Sequence, residues 1–198
     1  IYHTEGLDTI IHIARDSESR FLFLQSSLLA TDLAEHLDQL PKLERIILLG
    51  GDEDHERFIN LGEFLAGAES AAAENLQQTL EAGEDTSIAS LIYTSGTTGT
   101  PKGVILSHAN ILANLDACAE LFPIGPEDEC LSFLPLSHVF ERVDGYYFML
   151  RQGVTIAYAE SIDTVPANLQ EIRPTVMISV PRLYEKMYAR VMERVLSG

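Results

Sequence analysis

The sequence predicts an α/β fold, a mainly parallel β-sheet flanked by helices. Three observations predict it. Short apolar runs suited to buried strands alternate along the chain with stretches whose apolar residues recur at helical spacing. Two such runs, residues 20–24 and 46–49, are joined by a single helical stripe, the pattern of a parallel strand–helix–strand unit covered on both faces. Residues 88–106 carry a glycine- and hydroxyl-rich loop between two further apolar runs, read as buried strands. With 198 residues, 46% of them apolar and 22% charged, the chain has the core of one large domain or of part of one.

The elements follow in order. Leu7, Ile10, Ile11 and Ile13 predict a short helix over 7–15, broken by Asp16-Ser17-Glu18-Ser19. After the strand at 20–24, Ser26 or Ser27 caps a helix whose Leu29, Leu33, Leu37 and Leu40 form one stripe before Pro41. Gly50-Gly51 closes the second strand. Residues 52–87 are acidic and alanine-rich, with helices expected at 60–66 and 70–82, and read as a helical connector without chemistry. Beyond the loop, Ile111, Leu112, Leu115, Cys118 and Phe122 predict a helix ended by Pro123 and Pro126. A strand at 131–134 ends at Pro135, and a helix is expected from His138 to Arg151, stopped by Gly153. Strands at 154–159 and 175–180 bracket a helix near 164–172. Pro181 opens a last helix with Leu183, Tyr184, Met187, Tyr188, Val191 and Met192 on one face.

The densest chemistry lies at Tyr93-Thr94-Ser95-Gly96-Thr97-Thr98-Gly99-Thr100-Pro101-Lys102-Gly103, where three glycines, four threonines, one serine and one lysine share eleven residues. Glycine lets backbone N–H groups approach an anion, successive N–H groups form an anion-binding concavity, and hydroxyls add donors. Lys102 supplies a compact positive charge suited to a polyphosphate. This is not a Walker A loop, which needs G-x-x-x-x-G-K-[ST]: Thr100 and Pro101 separate Gly99 from Lys102, and Gly103 follows the lysine. An ordinary turn with a solvated lysine is the bland alternative. The full string resembles the phosphate-binding signature of the adenylate-forming superfamily, which includes acyl-CoA synthetases, peptide-synthetase adenylation domains and luciferases.

A second stretch, Leu134-Pro135-Leu136-Ser137-His138-Val139-Phe140-Glu141-Arg142 followed by Gly145-Tyr146-Tyr147, is similar to the family's second core region in the form carried by long-chain fatty acyl-CoA synthetases. The resemblance implies that Phe140, Tyr146, Tyr147, Phe148 and Met149 suit the wall of a hydrophobic tunnel. Phe148 and Met149 are read as ordinary core. His138, Phe140 and Glu141 are the substrate-side candidates, with a polar role for His138 in positioning a carboxylate or gating the pocket. His138 and Glu141 stand three apart, but no further ligand accompanies them at metal spacing. Ser179-Val180-Pro181-Arg182-Leu183-Tyr184 also looks family-like, with Arg182 structural; His108 reads as a capping or structural residue, and His3, His12, His36 and His55 as surface or core.

The resemblance covers residues 1–198 as part of a large N-terminal AMP-binding domain: 1–51 a first βαβ unit, 52–87 the connector, 88–198 the phosphate loop and acyl-pocket subdomain, with the C-terminal domain absent. It implies a long-chain fatty acid–CoA ligase that joins a fatty acid to ATP as an acyl-adenylate and passes the acyl group to CoA. Thr94, Ser95, Gly96, Thr97, Thr98, Gly99 and Lys102 would then hold ATP, with Lys102 and Thr94 catalytic. The hydroxyl of Thr94 or Thr97 would join the Mg²⁺ shell. The family's Tyr-Gly-x-Thr-Glu string, source of a metal-binding glutamate, does not occur. The chain opens on Ile1 rather than Met and stops directly after a helical pattern, so an excised piece of an enzyme is expected; with that glutamate and the family's C-terminal-domain lysine outside it, the piece itself is expected to be inactive. The competing readings are another adenylate-forming ligase acting on an aryl or amino acid, and a non-catalytic phosphate-binding module.

A formal net charge of −17 argues against nucleic acid or anionic lipid as an electrostatic partner. The carboxylates cluster at 52–54, 63–85 and 127–129, read as solvated faces. Cys118 and Cys130, the only cysteines, show neither metal spacing nor a secreted framework. No signal-peptide pattern and no bilayer-length apolar stretch occur, which reads as a cytoplasmic protein with peripheral membrane contact left open. Oligomeric state is not written in the sequence.

Overall fold

The first apolar repeat folds as its spacing predicts. In the computed structural model, which describes residues 1–2, 4–25, 27–51, 55–68, 73–95 and 99–197, Leu7–Asp16 is helix α1, burying Ile10, Ile11, Ile13 and Ala14. The chain divides into two units, Ile1–Ala109 and Asn110–Gly198. In the first, β1 (Phe21–Leu24), α2 (Ser27–Ala34) and β2 (Arg45–Leu48) form the expected parallel unit, with Phe21 opposite Arg45 and Leu24 opposite Leu48. The predicted leucine stripe is real, but it is carried by two helices: α2 stops at Ala34, and a 3₁₀ turn at Leu37–Gln39 continues it. Leu33, Leu37 and Leu40 are buried with Ile46 and Leu48 in one core, each full burial contributing about 1.5–3 kcal/mol. Of the two candidate capping serines, Ser26 lies outside the described residues.

The connector is not all helical. Phe58–Asn60 is a third strand, β3, parallel to β2 with Ile46 opposite Phe58. The Asn60 side chain then accepts from the Glu63 backbone N–H at 2.9 Å, an N-terminal cap for α3 (Leu61–Ala68). Helix α4 (Ala73–Glu81) precedes the loop strands β4 (Ile88–Ser95) and β5 (Pro101–Ser107). These two pair antiparallel as a separate hairpin, and they are not the buried pair the apolar runs suggest, since Ile88 is 62% and Ile105 60% exposed. A two-stranded ribbon has two outer edges and two faces, more surface than its neighbours here cover.

In the second unit, α5 (His108–Leu121) buries Leu115, whereas Leu112 and Phe122 are exposed. Strand β6 (Glu129–Ser132) pairs parallel with β7 (Thr155–Tyr158). Between them the expected helix is wound differently, as a π-helix at Glu141–Phe148 followed by the short α6 (Met149–Gln152). Gly153, at φ +74°, ends it in the left-handed region that glycine enters without penalty. Phe148 and Met149 are core, as read. The strand expected at 175–180 reduces to one bridge, Cys130 to Val176. Pro174 and Pro181 bracket that segment and lack backbone N–H groups, and ladder contacts to β6 survive only around Thr175 and Val176. Helices α7 (Val165–Ile172) and α8 (Pro181–Ser197) complete the unit. Of the last helix's apolar face, Leu183 is buried with Leu131 and Val165, while Tyr184, Tyr188 and Val191 are exposed. Among the described residues no helix is long and apolar enough to cross a membrane.

Candidate functional site

The hairpin register sets the geometry of the phosphate-loop candidate. Tyr93 lies opposite Gly103, Thr94 opposite Lys102, and Ser95 opposite Pro101. Directly opposed residues of an antiparallel pair share a face, with Cβ atoms about 5 Å apart. The Thr94 hydroxyl and the Lys102 ammonium are therefore presented together at the mouth of the loop, and both residues are exposed. Gly96, Thr97 and Thr98 lie outside the described residues. Gly99, at φ +84°, occupies a backbone conformation that a side chain would strain. Lys102 is the one charged residue between Ile88 and Ser107, so no carboxylate of the hairpin competes with an incoming anion for it. A lysine, a hydroxyl and glycine-rich backbone suit a polyphosphate. Among the described residues no group of three metal-ligating side chains occurs. Thr94 thus fits Mg²⁺ only as one oxygen of a shell completed by phosphate oxygens and other groups.

Helix α1 holds this hairpin from the side. The His12 Nε2 lies 2.9 Å from the Pro101 carbonyl, and because a carbonyl only accepts, that nitrogen carries the proton. One turn later, Asp16 Oδ2 accepts from the Tyr93 hydroxyl at 2.6 Å. The His12 and Tyr93 rings meet edge to face, centroids 6.4 Å apart. Burial, and then the bond to the Asp16 carboxylate, push the Tyr93 phenol up to about 12, so it remains a donor at neutral pH. A Cβ at Gly103 would stand 3.1 Å from the Tyr93 ring, so the glycine is what lets the ring lie over β5.

In the second unit, the predicted substrate-side residues part company. His138 and Phe140 are exposed; the Phe140 backbone N–H donates to His138 Nδ1 at 3.2 Å, fixing the imidazole at the helix entrance. Glu141 is turned inward and is 1% exposed. The Ser132 hydroxyl donates to Glu141 Oε1 at 2.5 Å, while Oε2 has no hydrogen-bond partner among the described residues. Burial raises the Glu141 carboxyl, the Ser132 bond opposes the rise, and the nearby Asp144 charge adds to it. Cys130, fully buried beside this carboxyl, is pushed up to about 11 by burial first and the Glu141 charge second. Gly145 makes room for the carboxylate: a Cβ there would come within 2.6 Å of Glu141 Cδ.

The sequence brought out Thr94 and Lys102, which the structure pairs, and His138 and Phe140, which it keeps adjacent. It gave no site role to His12, Asp16, Ser132 or Gly145. Asp16 and Tyr93 stand 77 residues apart, a separation no periodicity reports. Gly145, four residues after Glu141, was the one local clue that a side chain folds back over the helix.

The profile of the AMP-binding enzyme family matches residues 1–196. Long-chain-fatty-acid–CoA ligase 5 of Rattus norvegicus is 33% identical over 207 residues, which cover 96% of this chain and 29% of that protein. The peroxisomal long chain acyl-CoA synthetase 7 of Arabidopsis thaliana is 29% identical over 212 residues, covering 100% of this chain and 29% of that one. The chain thus spans less than a third of these relatives' length. Among solved structures, the anthranilate CoA ligase AuaEII in complex with anthranoyl-AMP superposes with a TM-score of 0.75 at 20% identity, over 93% of this chain and 35% of that one; at that identity it speaks to the fold.

Proposed function

The chain belongs to the AMP-binding enzyme family, and on that premise we propose that the protein carrying it is an ATP-dependent long-chain fatty acid–CoA ligase. In the first step a carboxylate oxygen of the fatty acid attacks the α-phosphorus of ATP. The new acyl–O–P bond forms as the bond to pyrophosphate breaks. In the second, the sulfur of CoA attacks the acyl carbonyl, AMP leaves with the carboxylate oxygen, and the thiol proton passes to solvent. Charge accumulates on the departing pyrophosphate, and a fixed cation with hydroxyl and backbone donors stabilises it there.

The observation that carries this reading is the register of the hairpin, which opposes Lys102 to Thr94 at the loop mouth. Lys102 serves as the phosphate cation. Thr94, Ser95, Gly96, Thr97, Thr98 and Gly99 supply the rest of the cradle, and Thr94 would contribute an oxygen to Mg²⁺. His138 and Phe140 face the acyl substrate, and Glu141 supports them from within the unit. The long-chain choice rests on the Ser137–Arg142 string and on the names of the relatives. The supporting groups act on ATP, fatty acid and CoA, and a cytoplasmic protein, free or peripheral to a membrane, suits those substrates.

Acid-dependent ATP–pyrophosphate exchange by the full-length protein tests it, comparing palmitate, acetate, benzoate and mixed amino acids, with Lys102→Ala as the control. Exchange driven mainly by palmitate is the expected result. Exchange driven by benzoate or an amino acid would keep the adenylation chemistry and discard the long-chain substrate. No exchange with any acid would leave the loop a phosphate-binding device.

A further inference from the structure

Two residues of α1, one turn apart, each reach a different strand of the phosphate-loop hairpin. His12 Nε2 donates to the carbonyl of Pro101 on β5 at 2.9 Å, and Asp16 accepts from the hydroxyl of Tyr93 on β4 at 2.6 Å. Residues four apart on a helix lie on the same face, so one helix surface closes both contacts. Their targets are next to the functional pair, Tyr93 immediately before Thr94 and Pro101 immediately before Lys102. The strand alternation turns Tyr93 to α1 and leaves Thr94 and Lys102 on the opposite face. Edge contact between the His12 and Tyr93 rings ties the two grips together. Gly103 leaves the space that lets the Tyr93 ring occupy this position.

We propose that α1 is a positioning clamp for the phosphate loop: His12, Asp16 and Tyr93 fix the two hairpin strands at the loop mouth so that Lys102 and Thr94 stay opposed, and none of the three touches the nucleotide. This rests on the loop being a nucleotide site. The physical need is plain. An isolated two-stranded hairpin is at best marginally stable in water, and a cradle that must be ordered when the ligand arrives binds it more weakly. A clamp on the far face moves that ordering into folding. The phenol stays protonated throughout the neutral range, so the Tyr93–Asp16 bond keeps its donor there.

The test uses the full-length protein and the variants Tyr93→Phe, Asp16→Ala, the double variant, and Asp16→Asn, which keeps an acceptor oxygen. A loss of the Tyr93–Asp16 bond is expected to raise the KM for ATP by about 3- to 10-fold, with the KM for the fatty acid unchanged. The double variant should match the single ones, since both remove the same bond, and Asp16→Asn should behave nearly as the native protein. Hydrogen exchange across residues 88–107 gives a readout independent of any ligand and should quicken in Tyr93→Phe and Asp16→Ala. Unchanged exchange, additive losses, or equal effects on both substrates would overturn the clamp. Quickened exchange in a protein that binds no ATP would leave the clamp standing and remove the nucleotide reading instead.

Discussion

Replacing Gly145 by alanine would put a methyl carbon 2.6 Å from Cδ of Glu141 and 2.7 and 2.8 Å from its carboxylate oxygens. In an open helix the change is favourable by about 1 kcal/mol, because alanine loses less backbone entropy. Here the methyl meets a side chain that is itself enclosed and hydrogen-bonded to Ser132. Overpacking costs about 1–3 kcal/mol. Driving the carboxyl off Ser132 leaves buried polar atoms unpaired, at about 1–3 kcal/mol more. The balance is a destabilisation of about 1–5 kcal/mol, read as a lower urea midpoint at constant slope. Combining the change with Glu141→Ala removes the obstacle, so Gly145→Ala should cost much less in that background. A Gly145→Ala protein as stable as the native one, or more so, would refute the reasoning.

The raised carboxyl of Glu141 makes stability depend on pH in a stated direction. Its folded-state value lies above its unfolded one, so its contribution is complete below the unfolded value and is lost as pH rises through the folded value. Glu141→Gln should flatten that decline in urea midpoints measured from about pH 4 to pH 8, leaving the part due to Asp144, which burial also raises. Cys130, pushed from 9.0 to about 11, holds roughly a hundredfold less thiolate than an ordinary cysteine, so iodoacetamide should leave it unmodified in the native protein and label it after unfolding, as mass spectrometry would read. Lys102→Ala should weaken nucleotide binding by about 10- to 100-fold with no change in urea midpoint, since the ammonium is exposed and its loss removes a charge-assisted contact; unchanged affinity in a fluorescent-nucleotide titration would count against a phosphate role.

Where the sequence was readable, one local rule sufficed. Leu33, Leu37 and Leu40 recur at helical spacing, and the core they fill is closed by near neighbours, Ile11 and Ala14 of α1, Leu24 of β1, and Ile46 and Leu48 of β2. The loop strands were read as buried, with their mutual direction left unstated. Only residues 96–100 separate them, far short of the dozen or so that a parallel crossover needs, so an antiparallel hairpin was legible in the spacing. Strand β3 was not, since three residues fall below the run length that signals a strand. Residues 175–180 have strand composition, yet pairing depends on how much of a neighbour's edge is offered, which composition does not encode. Glu141 was placed on the substrate side by the resemblance of its string; its enclosure rests on Ser132, nine positions earlier on another element.

The π-wound segment Glu141–Phe148 has one more consequence, for how the chain's spelling maps onto its shape. A π-wound N–H reaches back five residues where an α-helix reaches back four, although Arg142 at its start still reaches back four, to His138, so the segment holds a surplus letter. Faces inferred by a constant 3.6 repeat slip out of phase across it. Deleting one letter would remove the surplus and let the commoner winding join the same two ends, with His138 and Phe140 keeping their facing relative to Phe148 and Met149. Glu141 is turned inward beside an exposed Phe140 where this winding begins, and its far end, at Phe148 and Met149, is sealed in the core.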